Sequence, residues 1–312
     1  LDPALLNSVG LQWNHTTGQY DALPYEALAW PVHDLGATHG AFVVERLRTF
    51  GGKSPSHSAH WERLARGLEM LGLHSPHRID SSRIDSIRAA VEQLCHLNAD
   101  WIRNQRDTSI VVVVSPGSHM MDPTFESILH LQPLPWKRLR SWYEVGTPLI
   151  SSPWETGAGH CWPAATKSRS RLNYYLADRN AMASSDQALG LLRTHSGSVG
   201  DTSVANLILV TIDGDLVSPL PEDVLIGTSL LRLTQLLQER DQRILFRDIR
   251  LEELQTAREV WLTGNSGCLW HASSIDGQRI GDGSVGPLCR QWQKKWIESV
   301  GFDWLSQGLF NG

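Results

Sequence analysis

The chain has 312 residues, 41% of them hydrophobic and 20% charged, which is enough to bury a full core and to form two domains rather than one. Its formal charge of −5 argues against a surface that works mainly by attracting nucleic acid or lipid headgroups. No apolar run reaches the roughly 18 to 20 residues of a membrane span, and the first residues lack the basic-then-apolar pattern of a signal peptide, so a cytoplasmic location is expected.

After a leader that carries tryptophan and tyrosine, residues 41–50 alternate as a strand and end in the turn Gly51-Gly52-Lys53. Ser56 is placed to cap a helix whose Trp61, Leu64 and Leu68 form an apolar stripe with Arg63 beside it. Asp80 or Ser81 opens a second helix, with Ile84, Ile87, Val91 and Leu94 at helical spacing. Residues 110–114 read as a buried strand closed by Ser115-Pro116-Gly117. The stretch 118–135, with Pro123, Pro133 and Pro135, reads as loop and sets the expected boundary between domains 1–134 and 135–312.

In the second domain residues 140–151 read as strand and 170–183 as helix. Residues 191–194, 206–211 and 215–219 read as short strands, 227–240 as helix, and 258–263 as a strand entering the polar turn Gly264-Asn265-Ser266-Gly267. The four cysteines are dispersed without CxxC spacing and the 13 histidines form no ligand run, so neither a disulfide framework nor a metal is implied. The whole is a mixed α/β (α+β) chain.

Only five lysines accompany 23 arginines, and one of them, Lys167, stands where a strand passes into a helix. A primary amine can bond covalently to an aldehyde and carry protons, which a guanidinium does not do at ordinary pH. Gly227-Thr228-Ser229 opens a helix whose free N–H groups suit a phosphate, or is simply its N-cap. The turn at Asn265 and Ser266 offers further donors, and Arg63 a charged fork, with a plain turn and a surface ion pair as the alternatives. Asp201, in Gly197-Ser198-Val199-Gly200-Asp201, is either a partner for a protonated ring nitrogen or a turn former.

Together these pieces resemble the fold-type IV pyridoxal-phosphate enzymes, the family of branched-chain and D-amino-acid aminotransferases and aminodeoxychorismate lyase. The resemblance rests on Gly40 to Arg48 followed by His60-Trp61-Glu62-Arg63-Leu64, and on Lys167 ahead of Leu176-Ala177-Asp178-Arg179-Asn180-Ala181. It rests also on Gly197 to Asp201 with Asn206-Leu207-Ile208, on Gly227-Thr228-Ser229-Leu230, and on Ile275 to Gly283. Asp201 stands where the family has glutamate, Leu230 where it has arginine, Asn265-Ser266 where it has a Thr-Thr or Thr-Ser pair, and His271-Ala272 where many members have Pro-Val.

The resemblance implies a smaller N-terminal α/β domain, a larger C-terminal pseudo-barrel domain, pyridoxal 5'-phosphate and a homodimer. It implies that Lys167 is the Schiff-base and proton-transfer residue, that Asp201 faces the ring nitrogen, and that Arg63, Thr228, Ser229, Asn265 and Ser266 hold the phosphate. His39, Arg46, Arg48, Arg106 and His271 are the candidates for binding a substrate carboxylate. The expected reaction is amino-group transfer between an amino acid and a 2-keto acid. The alternatives are 4-amino-4-deoxychorismate cleavage to pyruvate and 4-aminobenzoate, and an inactive scaffold of the same fold.

Overall fold

The computed structural model describes residues 5, 7–53, 58–73 and 81–311. Ser56 and Asp80, the expected helix caps, lie outside the described residues. The chain divides into two compact units, one of residues 1–134 with 166–170 and one of residues 135–165 with 171–312.

The first unit is built on a five-stranded antiparallel sheet of β1 (Val9–Asn14), β2 (Gln19–Pro24), β3 (Val43–Arg48), β4 (Thr108–Ser115) and β5 (Glu126–Pro133), in the order β2-β1-β5-β4-β3. A short helix α1 (Leu35–His39) precedes β3, and α2 (Ser58–Met70), α3 (Ser81–Leu97) and α4 (Ala99–Gln105) lie between β3 and β4. The expected stripes face the sheet. Trp61, Leu64 and Leu68 of α2 and Ile84, Ile87, Val91 and Leu94 of α3 pack with Val43, Leu47, Ile110, Val112 and Val114. The continuous apolar run of β4 follows from burial on both faces, since Val111 and Val113 pack with Val44, Trp30 and Phe42 on the other side.

Two expectations are corrected here. Within 118–135 lies β5, paired with β4 along eight positions and with β1 at Leu11 and Gln12. Its Pro133 ends the strand and Pro135 lies beyond it, where neither costs a central ladder bond. Residues 140–151 hold not one strand but the end of helix α5 (Trp136–Glu144) and the start of β6 (Thr147–Glu155), broken at Gly146 with φ +81°. Leu139, Trp142 and Tyr143 form the buried face of that helix. The leader is the β1–β2 hairpin.

The second unit carries a nine-stranded mixed sheet. Along the chain β6 is followed by helix α6 (Leu172–Met182), β7 (Leu189–Arg193), β8 (Val199–Thr202), β9 (Asn206–Val210), β10 (Leu216–Ser218), helix α7 (Thr228–Gln238) and β11 (Ile244–Phe246). Then come α8 (Leu251–Gln255), β12 (Glu259–Gly264), β13 (Cys268–Ile275), β14 (Gln278–Arg279), α9 (Pro287–Val300) and α10 (Trp304–Asn311). The strand order is β11-β10-β9-β12-β13-β6-β7-β8, with β14 on β13. The last strand of that order, β8, is joined to β9 by three residues and a Thr202 N–H to Ala205 carbonyl bond, so the sheet curls back on itself as a half-barrel. Helix α6 lies close on β7 because Gly190 has no side chain; a Cβ there would stand 2.5 Å from the Ala177 carbonyl carbon.

Candidate functional site

In the first unit the segment around Lys167 is stitched to the entry of β3. Val44 N–H donates to the Lys167 carbonyl at 2.9 Å, Arg169 N–H to Phe42 at 3.1 Å, and Ser170 Oγ to the Gly40 carbonyl at 3.0 Å. Thr166 is buried, with its hydroxyl against Met70 Sδ at 3.2 Å. Gly40 sits at φ +68°, and a Cβ there would come within 2.6 Å of Ser170 Oγ, so glycine permits this attachment. Lys167 itself is half-buried.

Arg63 is not a surface residue. It is 5% exposed, and its Nε and Nη2 donate to the two carboxylate oxygens of Glu45 at 2.6 and 2.8 Å. His60 Nδ1 meets the same carboxylate at 2.9 Å. Burial would raise the Glu45 pKa, but the Arg63 charge and the hydrogen bonds from Arg63 and His60 overcome it and bring it down to about 2. Glu45 faces the helices of this unit, where Arg63 of α2 meets it, whereas Arg46 and Arg48 alternate to the opposite face with Val44. His130, opposite Val111 on the Arg46 face, is held below the usual imidazole range by burial and by the Arg169 and Arg46 charges.

The remaining first-unit candidates lie elsewhere. His39 is exposed at the end of α1, bonded to Thr38 at 2.8 Å. Arg106, the left-handed C-cap of α4, lines a cavity of about 380 Å3 with Lys53, Cys95 and Arg103, and Lys167 is not among its walls.

In the second unit the structure gathers three turns that the sequence separates. Asn206, 5% exposed, donates through Nδ2 to the Leu225 carbonyl and accepts the Gly227 N–H through Oδ1, both at 2.8 Å. Its backbone meanwhile pairs with Thr263 at the end of β12. One side chain therefore fixes the start of α7 beside the turn that carries Asn265 and Ser266. The third turn, Ser203–Val204, packs against Gly264, where a Cβ would lie 2.3 Å from the Val204 carbonyl oxygen.

This cup has unspent donors. Helix α7 has no side-chain cap at Gly227, so the N–H groups of its first turn point out of the helix. The Thr228 and Ser229 hydroxyls make no hydrogen bond among the described residues, and Asn265 Nδ2 and Ser203 Oγ are buried without partners. Unpartnered buried donors are rare and costly, and here they lie on adjacent turns beside the positive end of a helix dipole; the donor set fits a phosphate.

Two residues before Ser203, Asp201 is 5% exposed on β8 and accepts the Tyr174 hydroxyl at 2.9 Å. Burial first, and then the Asp201 charge, raise the Tyr174 pKa well above its usual range. Arg171 lies over the Tyr174 ring at 4.4 Å and donates to the Ser203 carbonyl. Tyr174, Arg171, Asn206 and Glu45 thus join the candidate residues, although their roles depend on partners far off in sequence. His271 does not join the cup: it lies on β13 and lines a separate cavity.

Comparison with known proteins places these observations in a family. Residues 42–275 match the family model described as amino-transferase class IV. The chain belongs to the class IV amino-transferase family. Branched-chain-amino-acid aminotransferase-like protein 1 of Arabidopsis thaliana is 25% identical over 288 residues, which cover 90% of this chain and 50% of that protein, so the chain spans about half the length of this relative. A probable branched-chain-amino-acid aminotransferase of Rickettsia bellii is 22% identical over 82% of this chain and 85% of its own length. Among solved structures, the branched-chain aminotransferase of Thermoproteus uzoniensis with norvaline superposes with a TM-score of 0.77 at 19% identity, covering 94% of this chain and 95% of that one. These structures bear out the expected α/β fold of the class IV amino-transferases.

Proposed function

We propose that this class IV amino-transferase binds pyridoxal 5'-phosphate and moves an amino group between an amino acid and a 2-keto acid. The observation that carries the reading is the cup of unspent donors at Thr228, Ser229, Asn265 and Ser203, with a buried carboxylate, Asp201, on the strand that leads into Ser203. A phosphate tail and a ring with a basic nitrogen need those two features. The family match supports the same reading, as does the PLP-bound form of a hypothetical aminotransferase from Mycobacterium tuberculosis, whose structure covers 92% of this chain and 97% of that one with a TM-score of 0.76 at 18% identity.

In this reading Thr228, Ser229, Asn265 and Ser266 hold the phosphate by hydrogen bonds, and Arg63, oriented by Glu45, adds positive charge. Asp201 keeps a proton on the ring nitrogen, and Tyr174 holds that carboxylate in place. Lys167 Nζ makes the covalent attachment and carries the proton at the substrate α-carbon. The bound pyridoxal ring supplies the electron sink. Arg46, on the sheet face opposite the helices, is the preferred contact for a substrate carboxylate. Two copies of the chain are proposed to pair, as the family resemblance implies.

The experiment is borohydride reduction of the protein loaded with pyridoxal phosphate, followed by peptide mapping, beside amino-acid and keto-acid pair assays and an aminodeoxychorismate cleavage assay. A reduced adduct on Lys167 with multiple-turnover amino transfer supports the proposal. Cleavage without amino transfer selects the lyase, and no adduct with both activities absent selects the inactive scaffold.

A further inference from the structure

A cavity of about 490 Å3 in the C-terminal unit is lined by His271, Arg258, Arg290, Glu259 and Asp282 and by none of the cup residues. That volume lies in the range that holds small metabolites. His271 is 2% exposed, and neither ring nitrogen has a hydrogen-bond partner among the described residues; the Gly283 backbone faces the ring without meeting hydrogen-bond geometry. The ring is seated against Gly146, at φ +81°, where a Cβ would stand 2.4 Å from Nε2. Burial holds the imidazole below its usual pKa, and the Arg290 charge pushes it the same way, so it is neutral at pH 7 with one N–H to donate.

The charges in the wall are unequally spent. Glu259 accepts from Leu288 N–H at 3.0 Å, Cys289 N–H at 2.9 Å and Trp261 Nε1 at 2.7 Å, which also uses up the start of α9. Asp282 is exposed and accepts from the N–H and hydroxyl of Ser284. Arg258 and Arg290 make no side-chain hydrogen bond or ion pair among the described residues, and both are exposed at the mouth. Both acids are thus engaged, while two cations and a buried neutral donor are not.

We propose that His271, Arg258 and Arg290 form a second binding site, separate from the phosphate cup, for the oxyanion of a small metabolite, a carboxylate or a phosphate. The arginines supply the charge and the fork geometry, and the neutral imidazole in the wall supplies an N–H. The proposal stands whether or not the cup holds pyridoxal phosphate.

The test uses 15N-histidine-labelled protein with pyridoxal phosphate in excess, so that the cup is filled. Sodium phosphate and sodium acetate are titrated separately at constant ionic strength, and the His271 ring signals are followed after through-bond assignment. A saturable shift of those signals is expected, with the dissociation constant raised roughly tenfold or more in the Arg258→Ala/Arg290→Ala variant. The anion that saturates at the lower concentration identifies the carboxylate or the phosphate. Both arginines are exposed, so the double variant keeps its fold, which its melting curve checks. His271 signals that stay still under both anions, or equal affinity in the double variant, overturn the proposal.

Discussion

Replacing Glu45 by Gln removes one charge from the centre of the first unit while nearly conserving shape. Glu45 is fully buried and holds Arg63, 5% exposed, and His60, 2% exposed. Its carboxyl falls from 4.5 to about 2 on folding, despite burial that alone would raise it. At about 1.4 kcal/mol per pKa unit, that shift represents about 3 kcal/mol of stability. Because the folded pKa is the lower one, this contribution is complete above pH 4.5 and is lost as pH falls from there towards 2, by about 1.4 kcal/mol per pH unit. Breaking a buried pair by removing one partner costs about 3 to 5 kcal/mol, since the Arg63 cation stays behind without its counter-ion.

Amide hydrogen exchange of β3 and α2 measures the loss directly in this unit, where a global melt of a two-unit chain would not. At pH 7 protection should fall by the equivalent of about 3 to 5 kcal/mol in Glu45→Gln, and the gap to wild type should narrow below pH 4.5. Equal protection at pH 7, or a gap that does not narrow on acidification, would refute the reasoning. The same variant should release pyridoxal phosphate more readily if Arg63 touches the phosphate, because a guanidinium without Glu45 loses its fixed orientation.

Lys167→Ala should abolish the borohydride-trapped adduct and nearly all turnover with the fold intact; unaided multiple turnover by the purified variant would remove Lys167 from the chemistry. Asn206→Ala deletes the two 2.8 Å bonds that fix the start of α7 and should cost about 1 to 3 kcal/mol of amide-exchange protection in α7 and β9. It should also weaken pyridoxal-phosphate affinity, and an unchanged affinity would separate Asn206 from the cup. Asp201→Asn keeps an acceptor for the Tyr174 hydroxyl but lacks the charge, so cofactor should be retained while single-turnover α-proton removal slows. A proton-removal rate and cofactor spectrum unchanged across pH would return Asp201 to a structural role.

What could be read from the sequence divides by range. The β4 run, the stripes of α2 and α3 and the start of α7 were legible because each is set by residues within two or three turns of one another. Strand β5 was hidden by prolines that mark its end rather than its interior, and α5 by a strand-like stretch that runs through Gly146. The cup donors Thr228, Ser229, Asn265 and Ser266 were legible as separate turns. Their assembly was not, because it depends on Asn206, whose backbone register with Thr263 and whose side-chain bond to Gly227 are fixed by the sheet.

Glu45 and Tyr174 escaped for the same reason. Each lay in a stretch read for its apolar alternation or stripe, while its polar function is defined by a partner 18 or 27 residues away. The neighbours Arg46 and Arg48 alternate to the other face of the sheet, so Glu45 is a buried acid without a local partner until the fold supplies Arg63. The residues that convert a set of turns into a binding site are therefore the buried polar ones between elements. Their side chains carry no local signal, yet each must be hydrogen-bonded for the fold to stand. His271 follows the same logic in reverse: buried, polar and without a partner among the described residues, it marks the place where a ligand would complete the structure.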